Sequence, residues 1–240
     1  WYYDPTISTW VDRTSTLWFL NSDDPCDGIT GNKVLFPIAD VVADPTNPLR
    51  VWVALSGTKN FNCTQIAHAR VFYSSNGGAS WTNVSTGLPM FPVNKLVYQD
   101  GTDDVIYAGT DVGVYVWNKT QNAWQCFKTG LPTLLVTDME IVYCENKMRV
   151  STWGRGIWET PLPTIPANQK KEIVINGNIT WNSSRDIPTD VRITAGSVLN
   201  ITGANTEIRM AKAKKITVDY LGVLIVDGAK ITNKCERWAG

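Results

Sequence analysis

The residues of this chain best suited to chemistry are its carboxylates. Hydrolysis of a glycosidic bond needs two carboxyl groups, about 5 Å apart to retain configuration or about 6.5–9.5 Å apart to invert it. Asp40, Asp44, Asp100, Asp103, Asp104, Asp111, Asp138 and Glu140 supply the acids. Most stand in turn contexts such as Asp100-Gly101-Thr102-Asp103-Asp104, where a short acidic side chain accepts turn amides. Asp111 and Asp138 are the catalytic candidates if an acid pair exists, against a structural turn role for both. Arg155, flanked by Gly154 and Gly156, could bind a carboxylate through bidentate guanidinium contacts or cap carbonyls at the end of its structural unit. Asn21-Ser22-Asp23-Asp24-Pro25-Cys26-Asp27-Gly28 could hold calcium through oxygen ligands, but it lacks the spacing of an EF-hand loop and reads as a solvated turn. No other cofactor is expected.

Nucleophilic and transition-metal chemistry are excluded on residue grounds. The five cysteines, Cys26, Cys63, Cys126, Cys144 and Cys235, have no two-apart spacing, and the single histidine, His68, has no cysteine or second histidine at ligand spacing. The sequence contains no Gly-rich phosphate loop and no Gly-x-Ser-x-Gly. An odd cysteine count leaves one thiol free or paired beyond this chain; Cys26 and Cys63, on two long loops, are the preferred disulfide pair.

The 240 residues carry 22 basic and 22 acidic side chains, so the net charge of zero gives no electrostatic reason to expect a nucleic-acid or anionic-membrane partner. No apolar run approaches the ~20 residues of a membrane span. Charged residues make up only 18% against about a quarter in an average soluble domain, while Trp reaches 11. With six sequons, at Asn62, Asn83, Asn118, Asn178, Asn182 and Asn200, and dispersed cysteines, this composition points to an extracellular or cell-surface setting. The opening Trp1-Tyr2-Tyr3-Asp4 has neither an initiator Met nor a signal-peptide pattern, so the expectation is a piece of a longer chain that also continues past Gly240.

The elements that would position these groups come in repeats. Thr86-Gly87-Leu88-Pro89 recurs 43 residues later as Thr129-Gly130-Leu131-Pro132, and the same shift carries Trp81 onto Trp124, Val71 onto Val114 and Val93 onto Val136. Upstream, Val51-Trp52-Val53-Ala54 matches Val105-Ile106-Tyr107-Ala108, with an insertion between Gly57 and Ala69. Within one repeat the apolar runs Lys95–Tyr98, Val105–Gly109, Gly113–Trp117 and Ala123–Phe127 are divided by turn residues. Four short strands per period of this length predict a propeller blade.

After residue 162 the composition changes. Pro163 and Pro166 open an extended linker over 163–171. From Glu172 a second period of 25 residues appears: Val191-Arg192-Ile193 maps onto Ile216-Thr217-Val218, Val198-Leu199 onto Val223-Leu224, and Ile201 onto Val226. Short strands with inward Val, Ile and Leu at this period predict turns of a parallel β-solenoid, with Ile173-Val174-Ile175 starting an earlier coil 25 residues before Val198. The predicted fold is therefore all-β: a partial β-propeller of about three to four blades over 1–162, a Pro-rich linker over 163–171, and a short solenoid segment over 172–240.

Two motifs carry a resemblance to known families. Ser74-Ser75-Asn76-Gly77-Gly78-Ala79-Ser80-Trp81 fits Ser-x-Asp-x-Gly-x-Thr-Trp with Asn76 and Ser80 as substitutes, and resembles the Asp-box, or BNR repeat, of sialidase-like propellers. That resemblance implies a structural hairpin turn built from Ser74, Asn76, Gly78, Ser80 and Trp81. The blade-end motif Thr152-Trp153-Gly154-Arg155-Gly156-Ile157-Trp158, following Tyr107-Ala108-Gly109-Thr110, resembles the last blades of secreted Bacteroidota propeller proteins; sortilin-type and xyloglucan-hydrolase propellers are similar in style. The tail from Ile179-Thr180-Trp181 to Thr232-Asn233-Lys234-Cys235 is similar to the segment that follows in those proteins, which are exported by type IX secretion. The resemblance covers about residues 35–240. Sialidases clamp a substrate carboxylate with three arginines, whereas none of Arg13, Arg50, Arg70, Arg149 and Arg155 stands in a sialidase-like Arg-Ile-Pro context, which argues against that activity.

The expectation for function is a non-catalytic structural or adhesive binding module of a larger secreted bacterial protein. Its partners would be a surface glycan or protein, with Trp1, Tyr2, Tyr3 and Trp10 available to stack on sugars, and the rest of its own longer chain. The alternatives are a fragment of a propeller glycoside hydrolase, sialidase-like or xyloglucanase-like, and a sortilin-type peptide or protein receptor.

Overall fold

The computed structural model of the chain describes residues 2–4, 9–13, 17, 37–56, 70–127, 130–165 and 169–234. Its elements are all strands. After a short hairpin, β1 (Tyr2–Asp4) with β2 (Thr9–Val11), come two four-stranded antiparallel blades. The first contains β3 (Ile38–Asp44), β4 (Asn47–Leu55), β5 (Val71–Ser74) and β6 (Thr82–Asn83), paired in that order. The second contains β7 (Val93–Tyr98), β8 (Ile106–Thr110), β9 (Gly113–Asn118) and β10 (Ala123–Cys126). A third sheet holds β11 (Val136–Val142), β12 (Lys147–Thr152) and β13 (Gly156–Pro161). The architecture is a partial β-propeller followed by a short parallel β-solenoid.

The inner strands β4, in its second half, and β8 are buried on both faces, so they read as apolar runs rather than strict alternation. In β4, Trp52 and Ala54 point into the cluster shared with the second blade, where Val93, Leu96, Tyr98, Ile106, Trp117 and Trp124 meet them. Their neighbours Val53 and Leu55 point to the opposite face and pack with Leu17 and Phe72. The period of two thus sorts one strand's side chains between two cores. Trp117 and Trp124, on adjacent strands β9 and β10, meet with ring centroids 5.5 Å apart.

The nine strands from Glu172 onward form three parallel sheets. These are β14 (Glu172–Ile175), β17 (Asp190–Ile193) and β20 (Ile216–Val218); β15 (Asn178–Trp181), β18 (Val198–Thr202) and β21 (Val223–Asp227); and β16 (Arg185–Ile187), β19 (Glu207–Met210) and β22 (Lys230–Asn233). Ile175, Ile187, Val191, Ile193, Leu199, Ile201 and Ile208 fill the interior. Between the second and third coils the 25-residue register holds in two sheets, where Val191 faces Ile216 and Leu199 faces Leu224, while in the third sheet Ile208 faces Ile231. The first coil departs from it: Ile173 faces Val191, not Val198. Its corners are shorter, Asn176-Gly177 standing where the next coil has Thr194–Ser197, so an equal sequence shift puts the wrong residues opposite each other.

The chain divides into two compact units. The first is Trp1–Gln99, Asp104–Glu140 and Arg149–Glu159; the second joins Thr160–Gly240 to Asp100–Asp103 and Ile141–Met148. Within the second unit the Asp100–Asp103 turn is pinned to the chain entering the solenoid, with Asp103 N donating to Gln169 O at 2.7 Å and Lys171 N to Gly101 O at 3.0 Å. Cys144 in this unit is disulfide-bonded, and Cys126 in the first is free and exposed. Cys26, Cys63 and Cys235 lie outside the described residues, and with them the expected Cys26–Cys63 pair. No helix among the described residues is long and apolar enough to cross a membrane.

Candidate ligand-binding end of the propeller segment

Antiparallel order sends alternate connections to opposite ends of the blades. The turn at Asp111-Val112 between β8 and β9, the turn at 153–155 between β12 and β13, and the returns over 84–92 and 130–135 gather at one end. Four hydrogen bonds fix this grouping. Arg70 Nε donates to Phe91 O at 3.1 Å, Trp153 N donates to Leu135 O at 2.9 Å, and the Asn94 amide bridges Asp111 Oδ1 at 2.8 Å and Val136 O at 3.1 Å.

Just inside this end, three successive first strands carry a charge ladder. Lys95 on β7 places its ammonium 3.5 Å from Asp40 Oδ2 on β3 and 3.5 Å from Asp138 Oδ1 on β11. Asp40 Oδ2 also accepts the Leu96 amide at 2.8 Å, and Asp138 Oδ1 accepts its neighbour Met139 N at 2.9 Å. Of the two catalytic candidates, Asp138 is therefore joined to Asp40 through Lys95, while Asp111 is engaged by Asn94. Sequence reasoning named Asp40 only as one of several acids and missed Lys95 and Asn94. A signal was there: Lys95 and Asp138 lie one 43-residue repeat apart, so they hold the same position on neighbouring blades with opposite charge.

The blade-end motif forms an exposed hairpin. Thr152 Oγ1 donates to Gly156 O at 2.7 Å and Trp158 Nε1 to Arg155 O at 3.1 Å, tying the turn across its base. Thr110 plays the equivalent part in the second blade, donating to Gly113 O at 2.8 Å, which puts Asp111 where the third blade has Trp153. Gly154 (φ 77°) and Gly156 (φ 71°) take the left-handed backbone that this turn requires. Trp153 is 76% exposed and Ile157 74%. Arg155 is exposed and its guanidinium has no ion-pair partner among the described residues. The nearby acids are already engaged: Glu159 accepts from Arg149 Nε at 2.7 Å, and Glu140 lies 3.7 Å from the same guanidinium.

The remaining predicted residues sit elsewhere. The Ser74–Trp81 turn joins β5 to β6 at the opposite end of the first blade. Ser74 Oγ accepts Gly78 N at 2.8 Å, Asn76 Oδ1 accepts Ser80 N at 2.9 Å, and Trp81 Nε1 donates to Arg13 O at 2.9 Å. At that end a buried network also joins Asp44 and Asp104 through Arg50. Arg50 Nη1 lies 3.2 Å from Asp44 Oδ2, Nη2 contacts Asp104 Oδ2, Nε donates to Tyr73 Oη at 3.2 Å, and Lys119 Nζ lies 3.3 Å from Asp104 Oδ2. Burial works against the Arg50 charge, but the Tyr73 and Asp104 contacts outweigh it and hold the group protonated above its ordinary range. Burial pushes the Tyr98 hydroxyl up, and this hydroxyl accepts the Asp104 amide at 3.2 Å.

The five arginines considered for a carboxylate clamp are dispersed: Arg13 at the Ser74–Trp81 turn, Arg50 in the network, Arg70 buried on Phe91 O, Arg149 on glutamates, and Arg155 on the open hairpin. The acidic loop Asn21–Gly28, Trp1, and the side chains of Tyr2, Tyr3 and Trp10 lie outside the described residues. Among the described residues no cluster of His, Cys, Asp and Glu is arranged to hold a metal ion.

No family model matches this chain, and no curated protein matches it. Among solved structures it is similar to the GH74 xyloglucanase from Xanthomonas campestris at 14% identity and a TM-score of 0.39, over 54% of this chain and 21% of that one. The match thus spans about a fifth of that protein's length. Antiparallel blades with shared cores, followed by parallel coils in register, make this chain a partial β-propeller joined to a short β-solenoid.

Proposed function

We propose that the chain is a non-catalytic binding segment of a secreted or cell-surface protein, taking a glycan or protein surface at the end that carries Trp153 and Arg155. One observation carries this reading: at that end the carboxylates are committed to protein partners, Asp40 and Asp138 to Lys95 and Asp111 to Asn94, while the largest exposed apolar groups stand on the neighbouring hairpin. A general acid must exchange its proton freely during turnover. A carboxylate paired with an ammonium of the neighbouring blade is suited to joining blades. The disulfide at Cys144 supports an oxidising compartment, since such bonds are rare in the cytosol. The Asp-box reading of Ser74–Trp81 and type IX export from a bacterial cell belong to the same proposal, on the motifs given above.

A second reading, a fragment of a propeller glycoside hydrolase, is favoured by one distance. Asp40 and Asp138 each lie 3.5 Å from one ammonium, so their oxygens are at most about 7 Å apart, within the span used by glycosidase acid pairs. Native electrophoresis through gels cast with soluble polysaccharides tests the proposal. Retarded migration with the polysaccharide left intact supports it; unretarded migration through every gel, or shortening of the polysaccharide, overturns it.

A further inference from the structure

We propose that the Trp153–Arg155 hairpin binds a uronate residue of an acidic polysaccharide, the C–H face of the pyranose lying on the indole and the sugar carboxylate on the guanidinium. The inference rests on the binding reading above and names its ligand. Trp153 is 76% exposed on a turn that three hydrogen bonds hold, from Thr152 Oγ1, Trp158 Nε1 and the Trp153 amide itself. A rigid aromatic platform loses little conformational freedom when a ligand settles on it.

Residues 153 and 155 are two apart, so their Cα atoms lie within about 7 Å, roughly the length of one sugar residue with its carboxylate. The space is open: no heavy atom lies within 4 Å of where a Cβ would stand on Gly154 or Gly156. Electrostatics select the sign of the ligand. Glu140 and Glu159 are taken up by Arg149 and Asp138 by Lys95, which leaves the Arg155 guanidinium the unmatched charge of this hairpin among the described residues. A guanidinium fork matches a carboxylate in two parallel hydrogen bonds. An oligo-aspartate would satisfy Arg155 but offers no ring face to the indole, whereas a uronate carries ring and carboxylate in one residue.

Calorimetric titration of the full chain with hexagalacturonate, its fully methyl-esterified form, cellohexaose and hexa-aspartate tests this. Hexagalacturonate should bind best, about tenfold tighter than its ester, because esterification removes a charge-assisted pair of hydrogen bonds. Arg155→Gln should erase that tenfold preference without weakening the ester, and Arg155→Lys should restore only part of it, since an ammonium lacks the fork. Trp153→Ala should abolish binding of both sugars while leaving the unfolding midpoint unchanged. Equal affinity for acid, ester and cellohexaose would overturn the uronate assignment and leave glycan binding standing. Hexa-aspartate binding as tightly as hexagalacturonate would overturn it in favour of a peptide. Failure of all the sugars to bind would remove the glycan reading and this inference together.

Discussion

Arg50 ties together one end of the first blade and the second. It reaches Asp44 and Asp104, bonds Tyr73 Oη and lies over the Trp52 ring at 5.6 Å. Asp44 and Asp104 are buried. Removing one partner of a buried pair leaves an uncompensated charge, which costs about 3–5 kcal/mol. Arg50→Ala should therefore lower unfolding free energy by about 3 kcal/mol in a urea titration, Lys119 still serving Asp104. Asp186 in the solenoid offers a pH test. Burial raises its pKa, but the hydrogen bonds and charges of Lys234 and Arg209 together prevail and hold the carboxyl below the usual range. A depressed folded-state pKa stabilises the fold above the unfolded value of about 3.9, and that contribution disappears as pH falls through the lower folded value. The stability difference between wild type and Asp186→Asn should accordingly be present at pH 6 and vanish towards pH 2, followed by denaturant midpoints. The turn role read from sequence holds for Asp111, at the β8–β9 turn, but not for Asp138, which lies within strand β11. Their partners were less legible, because Lys95 and Asn94 lie on a different strand and only the repeat spacing brings them near.

At the scale of elements, the two Gly-Leu-Pro turns look alike in sequence and differ in surroundings. A Cβ on Gly87 (φ 90°) would stand 2.3 Å from the Trp124 carbonyl oxygen, whereas one on Gly130 (φ 79°) meets nothing within 4 Å. Gly130→Ala should carry only the left-handed backbone cost of about 1–2 kcal/mol. Gly87→Ala must also displace the backbone of β10, so its loss should exceed that of Gly130→Ala in parallel thermal melts. This asymmetry cannot be read from the motif, since it depends on which strand passes overhead. What could be read was periodicity. The runs Lys95–Tyr98, Gly113–Trp117 and Ala123–Phe127 anticipate β7, β9 and β10 to within about two residues, because buried apolar runs broken by Asp-Gly and Lys-Thr-Gln-Asn leave little choice of boundary. The first solenoid coil begins where the sequence placed it, but its register escaped because its corners shorten. Parallel pairing follows inward-pointing side chains and is indifferent to corner length, so Ile173 pairs with Val191 and the sequence period slips.

For the whole molecule, two kinds of sheet stacking have different consequences. Blades bury both faces of their inner strands β4 and β8, while coils bury one interior and leave the third coil more exposed. Val218, Val223, Ile225 and Val226 of the third coil are each more than 40% exposed, against full burial of Val191, Leu199 and Ile201 one coil earlier. In the proposed binding role, strands fix the backbone, Lys95 pairs with acids of both neighbouring sheets, and the hairpin of the third sheet exposes Trp153 and Arg155. Repeats with interchangeable turns suit this division, since one turn can change from Asp111 to Trp153 without disturbing the threonine that closes it.

The most direct measurement is a reducing-end assay of the protein against a polysaccharide panel, run on wild type, Asp111→Asn and Asp138→Asn. With Asp138 and Asp40 held by Lys95 and Asp111 by Asn94, all three proteins should release no new reducing ends. Turnover by the wild type that Asp138→Asn or Asp111→Asn abolishes would contradict the binding account and make those carboxylates catalytic.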